Sequence, residues 1–148
     1  MVLLETLENR IGANGSTTWT PSWTNLTVGN GTVTAKYTKI GKTVVARLNM
    51  VFGNTTSVGG AVSISLPVTS VTYAGQAGTI PISAQAVMWD ASGTAYDGIV
   101  TWSNTTTAGI KIFNTAGTYS SITTLSSTVP FTWTTSDEIS LTIIYEAA

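Results

Sequence analysis

The sequence predicts an all-β fold, an antiparallel β-sandwich or jelly roll preceded by a short N-terminal helix, and three observations carry that prediction. Threonine and serine number 29 and 15 among 148 residues, and with dispersed Val, Ile and aromatic residues they suit a pleated, half-buried surface. The long polar residues that clothe exposed helices are scarce, since charged residues make up only 9% of the chain. Finally, short runs of period-two alternation, separated by Gly, Asn and Pro turns, recur every 8 to 14 residues or so, the spacing of strands in an antiparallel sheet.

Taken in order, the first element is the exception. Leu4, Leu7 and Ile11 recur at three- and four-residue spacing among Glu5, Glu8 and Arg10, with Gly12 as a stop, which predicts an amphipathic helix over 1–12. Three turns are marginal alone in water, so the stripe packs on its own sandwich or on the same stripe of neighbouring chains. Residues 13–18 read as a hinge, and 19–148 as the β domain. A strand over Thr24 to Val28 runs into the Gly29-Asn30-Gly31 turn. Next comes a long hairpin, Val33, Ala35 and Tyr37 alternating up to Ile40-Gly41-Lys42, then Val44, Ala46, Leu48, Met50 and Phe52 on one face. After a Gly53 to Gly60 loop, Val62, Ile64 and Leu66 alternate until Pro67. Ile80 to Trp89 and Tyr96 to Trp102 flank the turn Asp90-Ala91-Ser92-Gly93, short strands follow at Ile110 to Phe113 and Tyr119 to Leu125, and Ile139, Leu141, Ile143 and Tyr145 close the chain.

Composition narrows the chemistry. There is no cysteine and no histidine, so disulfides, thiolate zinc sites, imidazole switches and Ser–His or Cys–His nucleophile pairs are excluded, and neither metal nor cofactor is expected. A net charge of −1 gives no field for nucleic acid. No apolar run reaches the roughly 18 residues of a membrane span, so no insertion is expected. Lacking a basic leader and an apolar run before a cleavage site, the N-terminus predicts synthesis and assembly in a cytoplasm.

Glycoside hydrolysis needs two opposed carboxyls. Asp90 and Asp97 flank one hairpin within potential reach, but turn chemistry accounts for Asp90. Asp137 and Glu138 read as solvated gatekeepers of the last strand, and Glu146 lies near the terminus. No enzyme is predicted. Of the five tryptophans, Trp89 and Trp102 read as core, Trp133 is unassigned, and Trp19 and Trp23, bracketing Pro21, are candidate surface contacts. Lys36, Lys39, Lys42 and Arg47 place four of the six basic residues on one hairpin; Lys36 and Arg47 share its non-core face, where edge protection competes with contact to an acidic capsid surface or anionic glycan. The glycosylation tripeptides at Asn14, Asn25, Asn30, Asn54 and Asn104 follow from Ser/Thr abundance.

The stretch Trp19-Thr20-Pro21-Ser22-Trp23-Thr24-Asn25-Leu26-Thr27-Val28-Gly29-Asn30-Gly31-Thr32-Val33-Thr34-Ala35-Lys36-Tyr37 continues through Ile40-Gly41-Lys42 and Gly53-Asn54-Thr55 to Ser63-Ile64-Ser65-Leu66-Pro67. It resembles a module of tailed-bacteriophage structural proteins, found at tail-fibre ends, in receptor-binding proteins and in small capsid decoration proteins. The resemblance covers the first half of the strand region and stops at Val68. It implies a sandwich or jelly-roll knob on the virion surface, commonly a homotrimer, and transfers no catalytic residue. Leu4, Leu7 and Ile11 are then the expected oligomer or docking contacts. Met1 lies only a dozen residues before the β region, which favours a capsid decoration protein over a tail-fibre or receptor-binding knob on the host surface; a carbohydrate-binding module using Trp19, Trp23 or Trp89 is the alternative from another class.

Overall fold

The computed structural model describes residues 15–72 and 83–148, so the expected helix over 1–12, with Leu4, Leu7 and Ile11, lies outside the described residues. Those residues are all-β: β1 (Thr17–Thr18), β2 (Trp23–Thr27), β3 (Thr32–Ile40), β4 (Thr43–Val51), β5 (Ser57–Ser65), β6 (Ser83–Asp90), β7 (Thr94–Trp102), β8 (Thr107–Asn114), β9 (Ser121–Thr124) and β10 (Glu138–Glu146). They form one antiparallel sheet in the order β1-β3-β4-β10-β6-β7-β8-β5-β2, with β9 added alongside β8.

A short turn curls this sheet. β2 and β3 are seven inter-strand steps apart along the ladder, roughly 34 Å if the sheet were flat. The linker 28–31 between them reaches only about 18 Å when fully extended. The two ends of the sheet must therefore approach each other, and the faces turned inward enclose the core. Period-two alternation decides what goes there: Val44, Ala46, Leu48 and Met50 of β4, Ile139, Leu141, Ile143 and Tyr145 of β10, and Ala86 and Met88 of β6. Val62, Ile64, Val100, Ala108, Ile110 and Leu26 join them from the other strands. Each large aliphatic side chain so buried contributes about 1.5–3 kcal/mol.

Asn30 fastens the closing turn. Its Oδ1 accepts from the Thr55 backbone N–H (3.0 Å) and hydroxyl (2.9 Å), its amide donates to Asn54 Oδ1 (2.8 Å), and its own N–H donates to Thr55 Oγ1 (2.8 Å). Thr56 Oγ1 adds a bond to the Val28 carbonyl (2.6 Å). Gly29 is left-handed (φ 57) and Gly53 faces Asn30 so closely that a Cβ at either would overlap Thr55 or Asn30. Close approach, as much as turn geometry, requires glycine at both positions.

Two expectations shift. The loop placed at Gly53 to Gly60 is shorter, because β5 begins at Ser57 and carries Gly59 and Gly60 within it. There β2 bulges: Asn25 is left-handed (φ 58), register breaks between Thr24 and Leu26, and Asn25 Nδ2 donates to the Ala61 carbonyl (2.9 Å). Small residues opposite leave room for that side chain. Asp137, expected in solvent, is fully buried. Its carboxylate accepts from the Ala91 N–H (2.9 Å) and from the Thr134 N–H and hydroxyl, tying the β6–β7 turn to the loop before β10.

Tyr145 fixes the opposite end. Its hydroxyl donates to the Val68 carbonyl (2.7 Å) and accepts from the Val68 N–H (3.1 Å). Burial pushes the phenol from its ordinary 10.0 up to about 12. Both states are neutral below the ordinary value; above it only the unfolded phenol ionises, so this contribution drains away as pH rises toward about 12. Urea titrations across that range are expected to show a steeper alkaline loss of stability for the wild type than for Tyr145→Phe. At the closing turn, Gly53→Ala is expected to cost about 1–3 kcal/mol by overpacking. In an Asn30→Ala background that cost is expected to shrink but not vanish, since the side-chain overlap is gone while the Asn30 backbone carbon stays 2.7 Å from the added Cβ; strictly additive costs would show that the two turns are not coupled.

Candidate functional site

The outward face of β3, β4, β10 and β6 is a lattice whose rows follow from register. Thr38 opposes Val45, which opposes Ile144. One row on, Thr18, Lys36, Arg47, Thr142 and Gln85 lie side by side across five strands. The next row holds Thr34, Asn49, Ser140 and Val87. Short hydroxyl and amide side chains dominate, with Lys36 and Arg47 directly opposite each other.

That placement sets the electrostatics. Residues facing each other across antiparallel strands hold their Cβ atoms about 4.5–5.5 Å apart, and like charges there repel. Lys36 and Arg47 are both exposed, and among the described residues neither has an ion-pair partner. Two carboxylates of β10 share this face: Glu138, which accepts from Asn49 Nδ2 at 3.3 Å, and Glu146 at the far end of the strand, opposite Thr43. Around the two cations lies a groove of about 580 Å³, walled by Thr34, Thr38, Asn49, Ser140 and Thr142, with Val45, Leu48 and Leu141 beneath and Ser16 at its rim. A second cavity of about 360 Å³ adjoins it at Thr34 and Lys36 and is lined by Trp19, Pro21 and Trp23.

The tryptophans divide differently from expectation. Trp19 is core, 8% exposed, and its backbone N–H donates to the Ala35 carbonyl (3.0 Å) as the chain leaves β1. Trp23 is half-buried, and its indole N–H is buried without an acceptor among the described residues. Trp102 packs on the core and donates to Ser70 Oγ (3.1 Å). Trp133 stacks on Phe52, centroids 4.7 Å apart. Trp89, read as core, is 41% exposed; Ala86 and Met88 own the inward parity of β6, so an odd-numbered neighbour faces out.

No acidic dyad forms on the β6–β7 hairpin. Asp97 pairs with Val87 on the outward parity, whereas Asp90 sits three residues further along β6 on the opposite parity. Asp90 instead builds its turn, its Oδ1 accepting from the Ser92 N–H (2.8 Å), and hydrogen bonding to Ser92 holds the carboxyl below its ordinary value. Lys39 and Lys42 are exposed at the hairpin tip. Among the described residues no three acidic side chains gather where a metal ion could be held.

One feature is absent from the sequence reading: Phe113 and Ile122 are directly paired on the outside of β8 and β9, and both are exposed, as is Tyr119 in the turn before β9. Parity would have found it, since Ile110 and Ile112 claim the inward side of β8. No family model, curated protein or solved structure matches this chain.

If the Lys36–Arg47 pair is held against a repulsion, relieving it stabilises the fold. Lys36→Gln is expected to raise unfolding free energy by about 0.2–1 kcal/mol at low ionic strength, with the gain fading in high salt. A loss of stability at low salt would mean that the ammonium has a favourable partner instead.

Proposed function

We propose that the chain is a non-enzymatic structural protein of a tailed-bacteriophage virion, a sandwich- or jelly-roll-type module displayed on the particle surface as a homotrimeric capsid decoration protein made and assembled in the host cytoplasm. One observation carries this reading. The segments that resemble the phage module, above all Val28-Gly29-Asn30-Gly31 and Gly53-Asn54-Thr55, are the ones that bond to each other and close the curled sheet. The resemblance therefore falls on residues that make the body of the protein. A decoration protein resting on a capsomer needs such a cross-bonded body and no reacting groups. Threefold assembly would use Leu4, Leu7 and Ile11, with the exposed Phe113, Tyr119 and Ile122 as a further apolar contact.

The second reading, a tail-fibre or receptor-binding knob, is favoured by the two exposed cations set side by side in the outward groove. A carbohydrate-binding module built on a tryptophan platform has less support, since Trp19 is buried and Trp89 stands on a different part of the sheet.

Imaging of phage particles with gold-labelled antibody to this protein is expected to place label over the head, and light scattering of the purified protein is expected to return three chains. Label confined to the tail tip would replace decoration by the knob, and particles without label would end both.

A further inference from the structure

We propose, building on the adhesive reading, that the groove over β3, β4 and β10 binds an acidic sugar residue of a carboxylated polysaccharide, the carboxylate seated between Lys36 and Arg47. The cross-strand pairing puts an ammonium and a guanidinium side by side on one face. A single carboxylate between them turns their mutual repulsion into two charge-assisted contacts, and the planar fork of Arg47 suits bidentate capture. The carboxylates of that part of the sheet lie elsewhere: Glu138 is engaged by Asn49, Glu146 stands at the far end of β10 opposite Thr43, four residues from Thr142, and Asp97 lies across β6 and β7.

The remaining walls select a saccharide over other acids. Thr34, Asn49, Ser140 and Thr142 offer hydroxyls and an amide that both donate and accept, as sugar hydroxyls require, while the Thr38 hydroxyl donates to the Gly15 carbonyl and is left as an acceptor. These short side chains lose little rotamer freedom on binding. Val45, on the outward parity between Thr38 and Ile144, gives an apolar patch for the C–H face of a ring. The tryptophan-lined cavity meets the groove at Thr34 and Lys36, so a chain of more than one sugar has somewhere to continue, with the Trp23 indole beside it. A protein partner would be expected to seek a large apolar anchor, and the groove lining contains none of the exposed large apolar side chains. Two cations on a chain of net charge −1 are too few for nucleic acid.

The full chain is titrated calorimetrically with a hexamer of galacturonic acid, with a neutral dextran hexamer and with a hexaglutamate peptide, at low and high salt. The expected result is binding of the galacturonate hexamer alone, weakened at least tenfold by Lys36→Gln or Arg47→Gln, weakened by salt, and unchanged by Lys111→Gln, whose ammonium is engaged by Thr124 on β9 (2.6 Å). Both groove residues are exposed, and thermal melts of each variant check that the fold is kept. No galacturonate binding at millimolar concentration, equal binding by the groove variants, or equal binding of hexaglutamate each overturns the proposal. So does self-association that Arg47→Gln abolishes, because a second copy would then cover the face. Particle imaging is indifferent to all of these outcomes, so the two readings fail separately.

Discussion

Everything in this fold hangs on four residues, Val28 to Gly31, that must join strands lying near opposite ends of a ladder. A flat sheet would separate β2 and β3 by about twice what that linker reaches. Curling resolves the conflict and at the same time creates an inside. The turn survives in that position because the neighbouring turn, Gly53 to Thr56, comes to meet it and supplies partners for the Asn30 side chain and for the Val28 carbonyl. Backbone groups that would otherwise be stranded where two sheet ends converge are thereby satisfied.

Once the curl is fixed, the two faces follow different rules. Inward positions take Val, Ile, Leu, Met and Ala with little exposure left. Outward positions on β3, β4 and β10 are mostly Thr, Ser, Asn, Val and Ile, with Lys36, Arg47, Glu138 and Glu146 as the charges among them. β-Branched threonine keeps the strand stiff while its hydroxyl meets water, so the outer face stays wet with few charges. On such a surface a pair of adjacent cations is a local event, and few neighbouring charges are present to neutralise it. Edge exposure is limited too, since β1 covers part of β3, and β9 continues the edge of β8 beyond β5.

Much of this was legible in the chain. The β3–β4 hairpin with its Ile40-Gly41-Lys42 turn, the inward sets of β4 and β10, and the outward placement of Lys36 and Arg47 all follow from period two, which is a local property. Properties set by distant partners were hidden. Asp137 looks like a solvated charge until Ala91, 46 residues away, donates to it. β5 looks like a loop at Gly59-Gly60 until the Asn25 bulge is laid against it. The fates of Trp19 and Trp89 could not be ranked by composition, because parity on β6 sends one outward and the crossing from β1 to β2 draws the other in. Strand order itself is a long-range matter on which alternation is silent.

The few charges of the described β region sort into two kinds, and the sorting bears on function more than their number does. Asp137 is enclosed by three donors, Asp90 is engaged in its own turn, and Lys111 is anchored to Thr124; each is accounted for by the fold. Lys36 and Arg47 receive no such support, although they stand on the most regular part of the sheet, where register leaves no freedom to move apart. A chain this sparing of charge could relieve the repulsion with a single neutral residue at either position. Stability therefore gives no reason for the pair. Lys39 and Lys42 are exposed as well, but at a hairpin tip where each can turn into water; two cations set side by side in a hydroxyl-walled groove direct attention to what lies outside the protein.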